Sequence, residues 1–180
     1  MLQRFTSDTD EKITASQIAK MHSFNQKSVS LFMKELEEQS ILRSEIQGKN
    51  KLYSLNKENK EPVIQFLCAL EHLRTLFFYQ SHPNIKVILQ KALPHIHGIA
   101  AVFGSYAKGT QKDSSDIDLY IAGKYGQDRI LEISNTYSSE INIKHQKSFR
   151  EDTLTREVKK NHIVLKNTEQ FIREANQWIS

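Results

Sequence analysis

Residues 99–105 constrain the fold of this chain more than any other feature of the sequence. Residues 99–103 are all apolar and predict a buried strand, which runs directly into Gly104 and Ser105. Glycine at this point lets the backbone approach a ligand closely, and the amides that open a following helix attract anions. The Ser105 hydroxyl can donate to the same anion. The sequence therefore predicts a strand, a phosphate-holding turn and a helix in succession.

A pair of carboxylates follows this turn. Asp116 and Asp118 alternate with Ile117 and Leu119, which is the pattern of a strand with one buried face. Side chains two residues apart in a strand point the same way, so both carboxylates are expected on one face. Like charges held together repel unless a cation lies between them, and carboxylate oxygens favour Mg²⁺ or Mn²⁺. Asp116 and Asp118 are therefore candidate metal ligands.

The composition is that of a globular protein with no membrane-spanning segment. The 180 residues are 38% apolar and carry a formal net charge of +4. No apolar run approaches the roughly 20 residues that cross a bilayer, and residues 1–8 lack the apolar core of a signal peptide. Cys68 is the only cysteine, so no internal disulfide can form, and a cytoplasmic location is expected. The mild positive charge permits a nucleic acid or nucleotide partner without demonstrating one.

The first part of the chain carries the signals of two helices and a hairpin. Thr14 and Gln17, and again Ser23 and Gln26, have the spacing of a capping box, which starts a helix. The second helix is expected to bury a stripe of Val29, Phe32, Met33 and Leu36. The predicted elements are helices at residues 15–22 and from 24 or 25 to about 39, and strands at residues 41–46 and 51–55.

This order of helix, tight turn, helix and basic-tipped hairpin over residues 13–55 resembles a winged helix-turn-helix domain. The resemblance rests on Ile18, Val29 and Leu36 in the helices and on the wing sequence at residues 48–53. It implies that the second helix enters the DNA major groove while the wing lies near the backbone. The residues that it implies as DNA contacts are Gln26, Lys27, Ser30, Lys34, Lys49, Asn50 and Lys51. Domains of this fold also serve as protein–protein or dimerisation modules, and the sequence leaves both uses open.

Residues 61–80 are predicted to form a linker helix, with Pro62 in its first turn. Its apolar residues cover more than the single face that a surface helix needs. We therefore expect the helix to pack between domains or against a second copy of the chain. A homodimer through residues 61–80 is a hypothesis that follows from this pattern.

From residue 84 onward the sequence alternates between helical and strand patterns. The predicted elements are helices at residues 85–93 and 127–137, strands at 99–103, 117–122 and 140–144, and an apolar run at 162–165 that leads into a final helix. The overall prediction is an α+β chain.

The motif in this region resembles the DNA polymerase beta-like nucleotidyltransferase superfamily, particularly its minimal nucleotidyltransferases. The pattern of that superfamily is Gly-Ser, then Gly, then Ser-Asp-x-Asp-Leu, and it is matched here by Gly104-Ser105, Gly109 and residues 115–119. The resemblance implies a mixed sheet flanked by helices and a nucleoside triphosphate, such as ATP, bound with divalent metal. It implies nucleotide-binding roles for Gly104, Ser105, Lys108 and Gly109, and metal-binding and catalytic roles for Asp116 and Asp118. Lys108 can equally face solvent.

A third carboxylate of that superfamily comes from a later strand, and this chain departs from the pattern there. Asn142 occupies the expected place, and asparagine is a neutral ligand and a poor base. Glu140 lies two residues earlier on the same predicted face and has a longer reach. We expect Glu140 to supply the third metal-binding and catalytic carboxylate. If it does not, the domain binds nucleotide without turning it over.

The resemblances imply three parts, which are a winged helix-turn-helix domain at residues 1–58, a linker helix at 59–82 and a nucleotidyltransferase domain at 83–180. The expected activity is Mg²⁺- or Mn²⁺-dependent transfer of a nucleoside monophosphate, most simply AMP from ATP, to a macromolecular hydroxyl. Minimal nucleotidyltransferases occur as antitoxins that modify a companion protein, so such a protein is a candidate acceptor. The alternative is a DNA-binding transcriptional regulator whose degenerate nucleotidyltransferase domain only binds nucleotide.

Overall fold

The computed structural model describes residues 4–112 and 115–176 together with Leu2 and Trp178. The chain divides into two compact units, an N-terminal unit of residues 1–70 with 176–180 and a C-terminal unit of residues 71–175. Within the described part of the chain, every helix is too short or too polar to cross a membrane.

The N-terminal unit contains three short helices, a hairpin and the first half of a longer helix. These elements are α1 (Arg4–Ser7), α2 (Ala15–His22), α3 (Gln26–Glu38), β1 (Leu42–Gln47), β2 (Asn50–Leu55) and α4 (Lys60–Ser81). The predicted helix at residues 15–22 is confirmed, and so is the Thr14 capping box. The Thr14 side chain accepts from the Gln17 amide, and the Gln17 side chain accepts from the Thr14 amide.

The second capping-box prediction is wrong. Ser23 has a φ of 55° and ends α2, while Asn25 caps α3 by accepting from the backbone amides of Lys27 and Ser28. The prediction that α3 buries an apolar stripe is confirmed for Val29, Met33 and Leu36. It is wrong for Phe32, which is 39% exposed. Phe32 lies at the margin of the face that α3 buries, because a helix advances about 100° per residue.

The strands β1 and β2 form an antiparallel hairpin that pairs Leu42 with Leu55 and Gln47 with Asn50. Gly48, in the two-residue turn between the strands, has a φ of 61°, as tight hairpin turns require. The hairpin buries Leu42 and Leu55.

The C-terminal unit is a four-stranded mixed sheet flanked by helices, as the sequence predicted. Its strands are β3 (Ile96–Val102), β4 (Ile117–Tyr125), β5 (Ile141–Gln146) and β6 (Ile163–Lys166), and its order is β5-β4-β3-β6. Its helices after the second half of α4 are α5 (Pro83–Ala92), α6 (Gly104–Lys108), α7 (Gln127–Thr136), α8 (Thr153–Lys160) and α9 (Thr168–Ala175). The pair β4–β5 is parallel, whereas β3 is antiparallel to both β4 and β6.

This topology brings the candidate site residues to one edge of the sheet. Because β3 and β4 are antiparallel, Val102 at the end of β3 pairs with Leu119 near the start of β4. Because β4 and β5 are parallel, Ile117 and Ile141 pair at the start of both strands. The turn after β3 and the segments before β4 and β5 therefore meet at the same edge, although they are far apart in the sequence.

A buried ion pair lies within the C-terminal unit. Glu71 is fully buried and His162 is 1% exposed, with His162 Nε2 3.0 Å from Glu71 Oε1. His162 Nδ1 lies 3.1 Å from the carbonyl oxygens of both Val158 and Lys159, so this nitrogen carries a proton. Nε2 and Oε1 must then share a second proton, because neither could otherwise donate to the other. Arg74 lies 3.9 Å from the same carboxylate, and its own burial lowers the pKa of its guanidinium.

The substitution His162→Leu is expected to destabilise the protein by about 3 kcal/mol, because it removes one partner of a buried charged pair and leaves the other in place. Urea denaturation measures this loss. In the double variant Glu71→Leu/His162→Leu no buried carboxylate remains, so part of the stability is expected to return, while Arg74 loses the carboxylate that lies 3.9 Å away. A loss below about 1 kcal/mol in His162→Leu would show that the Glu71–His162 pair does not contribute this much to the stability.

Candidate active site

Gly104 and Asp118 are in close contact at the sheet edge. Gly104 opens α6 with a φ of 66°, and a Cβ built on it would lie 2.0 Å from Asp118 Oδ2. No other residue type fits, because the left-handed backbone and the lack of space both require glycine. The adjacent Phe103 amide donates to the Asp118 carbonyl at 3.0 Å. The carboxylate of Asp118 is therefore held directly against the backbone of the Gly104-Ser105 turn.

Asn142 holds the other oxygen of the same carboxylate. Its Nδ2 donates to Asp118 Oδ1 at 3.0 Å, and the two residues are register partners on β4 and β5. Asn142 thus occupies the position beside Asp118 where the superfamily pattern predicted a carboxylate. The amide stabilises the charge of Asp118 by hydrogen bonding and adds no negative charge of its own.

Asp116 and Glu140 lie just outside the strands. Both are exposed, Asp116 directly before β4 and Glu140 directly before β5. The Ile117 amide donates to the Glu140 carbonyl at 2.8 Å, so the two segments are joined through the backbone. Among residues 4–112 and 115–176, no three or more His, Cys, Asp or Glu side chains form a group that could hold a metal ion. A site of three carboxylates that includes Glu140 therefore remains a prediction.

The donors at this edge nevertheless fit a magnesium ion that a substrate brings with it. Mg²⁺ keeps several water ligands and is usually bound through one or two carboxylates together with substrate phosphates. Asp118 supplies one carboxylate beside the phosphate-type turn, and Asp116 precedes it by two residues. These donors are negatively charged oxygen atoms, which Mg²⁺ prefers. They leave coordination positions free for water and substrate phosphate, as that binding mode requires.

The remaining predicted nucleotide ligands lie on or next to α6. Ser105 is partly exposed in its first turn, and Lys108 at its end forms an exposed ion pair with Glu157 at 3.6 Å. Gly109 ends the helix with a φ of 68°, and open space surrounds the position of its missing Cβ. The structure thus gives Gly109 a conformational role, whereas a nucleotide contact by Lys108 requires exchange of its ion pair.

A cavity of about 650 Å³ adjoins this edge of the sheet. Asp116 and Glu140 line it from the segments before β4 and β5, and Tyr106 lines it from α6. Its wall also includes His82 and Gln111, which the sequence reasoning missed. No motif in the sequence marks either His82 or Gln111.

His82 and Gln111 form a fixed hydrogen-bonded pair in this wall. His82 Nδ1 lies 3.0 Å from the Phe78 carbonyl oxygen and therefore carries the proton. His82 Nε2 accepts from Gln111 Nε2 at 2.8 Å, which sets the orientation of the amide. The Tyr106 ring packs edge-on against His82, with centroids 5.5 Å apart. The wall beside the turn is thus preorganised by hydrogen bonds and ring packing.

The seven predicted DNA contacts all belong to the N-terminal unit. Lys34 pairs with Glu38 at 3.1 Å, and Lys51 pairs with Glu37 at 2.6 Å. The hydrogen bond from Lys51 lowers the pKa of Glu37, and the same bond raises the pKa of Lys51. These pairs reduce the positive charge of the predicted DNA face. Gln26, Lys27, Lys49 and Asn50 are exposed, and Ser30 is half-buried.

The comparisons with known proteins agree with the C-terminal motif. Residues 83–171 match the model of the family described as Polymerase beta, Nucleotidyltransferase, and that range contains the Gly104-Ser105 turn, both aspartates, Glu140 and Asn142. The match supports the nucleotidyltransferase superfamily for this part of the chain and, with it, nucleotidyl transfer as the general activity. No curated protein and no solved structure matches the chain.

The substitution Gly104→Ala is expected to displace the Asp118 carboxylate, because the added methyl group would occupy the position of Oδ2. The side-chain amide signals of Asn142 in an NMR spectrum report this displacement through the broken hydrogen bond. Gly109→Ala is the matched control, since it imposes a similar φ in open space and should cost only about 1 kcal/mol of backbone strain. Unchanged Asn142 signals in Gly104→Ala would contradict the contact.

Proposed function

We propose that the C-terminal domain is a metal-dependent nucleotidyltransferase that moves a nucleoside monophosphate, most simply AMP from ATP, to a hydroxyl of a macromolecule. The observation that carries this proposal is the Asp118 carboxylate held against Gly104 of the Gly-Ser turn. This arrangement lies within the part of the chain that matches the nucleotidyltransferase family. A phosphate-type turn in contact with the second aspartate of an Asp-x-Asp pair suits the binding of a triphosphate with its cation.

Each side chain has a distinct part in this proposal. The backbone at Gly104 and the Ser105 hydroxyl hold the phosphates, and Asp116 and Asp118 hold Mg²⁺ or Mn²⁺. The cation would neutralise the negative charge that builds up on the phosphates. Asn142 keeps Asp118 oriented through its hydrogen bond. In the transfer, a bond forms between the acceptor oxygen and the α-phosphorus, and the bond from that phosphorus to the bridging oxygen breaks. Pyrophosphate leaves, and the hydroxyl proton passes to solvent.

The acceptor in this proposal is macromolecular, and a companion protein is one candidate. The region that matches the family carries only the four-stranded sheet and its helices. A small catalytic domain suits an acceptor that contributes a surface of its own.

The substitution Asp118→Asn is expected to lower transfer about 100-fold or more, because it removes a charge beside the phosphates. Transfer is measured with each of the four nucleoside triphosphates, labelled at the α-phosphate, with Mg²⁺ and a total cell lysate as acceptor. Lys34→Ala, in the N-terminal unit, is the control and should retain transfer. Equal labelling by Asp118→Asn and the native chain would refute the proposed activity.

The second candidate function is a DNA-binding regulator whose nucleotidyltransferase domain binds nucleotide without turnover. The neutral Asn142 beside Asp118 favours it, because catalysis in the superfamily pattern uses a carboxylate there. In this candidate the N-terminal unit is a winged helix-turn-helix domain, with α3 as the recognition helix and the β1–β2 hairpin as the wing. Leu31, which is 59% exposed between Lys27 and Lys34 on α3, favours a protein partner for the same face.

DNA binding, if present, should depend on Lys27 and Lys49 more than on Lys51. Each exposed lysine that contacts a phosphate releases about one counterion, so Lys27→Ala and Lys49→Ala should each reduce the salt slope of binding by about 1. Lys51→Ala should change it less, because Glu37 already neutralises this lysine. Fluorescence anisotropy with labelled duplex DNA measures these slopes. Absence of measurable affinity at low salt would leave the N-terminal unit as a protein-binding module.

A homodimer through α4 remains part of the proposal. Leu73, Leu76 and Phe77 are each about half exposed on this helix, at 47%, 50% and 55%. Their spacing of three and four residues places them on one face. A second copy of the chain would cover this face with the same residues, as a two-fold interface requires.

A further inference from the structure

The cavity beside the candidate site contains one of the two aspartates but not the phosphate-binding turn. Asp116 lines it, whereas Gly104, Ser105, Lys108, Gly109 and Asp118 do not. The cavity therefore borders the proposed triphosphate site at Asp116 and at Tyr106, the α6 residue that follows Ser105. A ligand inside it would meet the reacting end of the nucleotide and not its phosphate tail.

The geometry of the proposed reaction indicates which ligand would occupy this cavity. In an in-line displacement the attacking hydroxyl approaches the phosphorus from the side opposite to the leaving pyrophosphate. With the pyrophosphate on the Gly104-Ser105 turn, the hydroxyl must lie away from that turn and near Asp116. The cavity satisfies both conditions, and its volume is within the range of cavities that enclose small molecules or single side chains.

We infer that this cavity is the binding site of the hydroxyl acceptor and that Glu140 is an acceptor ligand rather than the third metal ligand. This inference rests on the proposed transferase function. Glu140 lines the cavity together with Asp116, and the described residues show no group of three metal-binding side chains. Asn142 already occupies the place beside Asp118 that a third carboxylate would take.

The lining of the cavity defines the chemistry of the acceptor. Carboxylates of Asp116 and Glu140 accept hydrogen bonds from hydroxyl groups, and Ser138 and Ser139 add neutral donors and acceptors. Lys112 is the one lysine or arginine among the described residues that line it, so the carboxylates disfavour an acceptor that is anionic near its hydroxyl. His82 Nε2 already accepts from Gln111, so it is not available to an acceptor in the cavity. A neutral or cationic hydroxyl compound or side chain fits this site.

The substitution Asn84→Trp tests which ligand uses the cavity. Asn84 is an exposed residue of α5 that lines the cavity, so tryptophan would fill it without disturbing the core. Lys86→Trp is the matched control, because Lys86 is exposed on the same helix and does not line the cavity. Isothermal titration calorimetry with a non-hydrolysable ATP analogue and Mn²⁺ should give affinities within about twofold for both variants and the native chain. Transfer to lysate acceptors should fall about tenfold or more in Asn84→Trp alone.

A tenfold loss of ATP-analogue affinity in Asn84→Trp, with Lys86→Trp unchanged, would overturn the inference by assigning the cavity to the nucleotide. The role of Glu140 is tested by Mn²⁺ titration followed by electron paramagnetic resonance. Glu140→Gln should keep the Mn²⁺ affinity within about twofold, whereas Asp118→Asn should lose tenfold or more. An equal loss in Glu140→Gln would make Glu140 a metal ligand and refute its assignment to the acceptor. If the native chain binds neither Mn²⁺ nor the ATP analogue, both the inference and the proposed function fail.

Discussion

The contact between Gly104 and Asp118 is the constraint on which the rest of the site depends. The carboxylate lies where the side chain of any other residue at position 104 would be, and the backbone there has a left-handed conformation. This arrangement brings a negative charge against the backbone at the start of α6. The same contact joins the end of β3 to the start of β4, so the geometry of the turn and the position of the carboxylate cannot vary independently.

The neutral residue beside Asp118 sets the electrostatic character of the site. Asn142 donates to Asp118 from the neighbouring parallel strand and leaves the aspartate pair without a third negative charge at that point. The sequence predicted Glu140 as the third carboxylate. Glu140 lies two residues before Asn142 and lines the cavity together with Asp116. One negative charge, that of Asp118, therefore lies beside the turn, and another, that of Glu140, lies at the adjacent cavity. This division is the physical basis for the proposed separation of cation binding from acceptor binding.

Local sequence patterns predicted the helices and strands well, but they predicted the contacts of individual side chains less well. The capping box at Thr14 placed the start of α2 correctly, because both of its hydrogen bonds are formed within four residues. The same signal at Ser23 failed, because Ser23 takes a left-handed conformation that ends α2, and Asn25 caps α3 two residues later at the amides of Lys27 and Ser28. The apolar stripe of α3 is buried except at its margin, where Phe32 remains exposed. The buried pair of Glu71 and His162 has no sequence signal, since 91 residues separate its members.

The sequence by itself determined the turn, the glycine that it requires and the alternation that separates Asp116 and Asp118 from the apolar core. These features depend on residues within about 20 positions of one another, where backbone sterics and side-chain alternation decide the outcome. Only the tertiary structure decided that Asn142 contacts Asp118 and that Glu140 enters a cavity with His82 and Gln111. Those contacts follow from the parallel register of β4 and β5 and from the packing of α4 and α5 beside them. Such register is a property of distant segments brought together, and a pattern in one segment does not contain it.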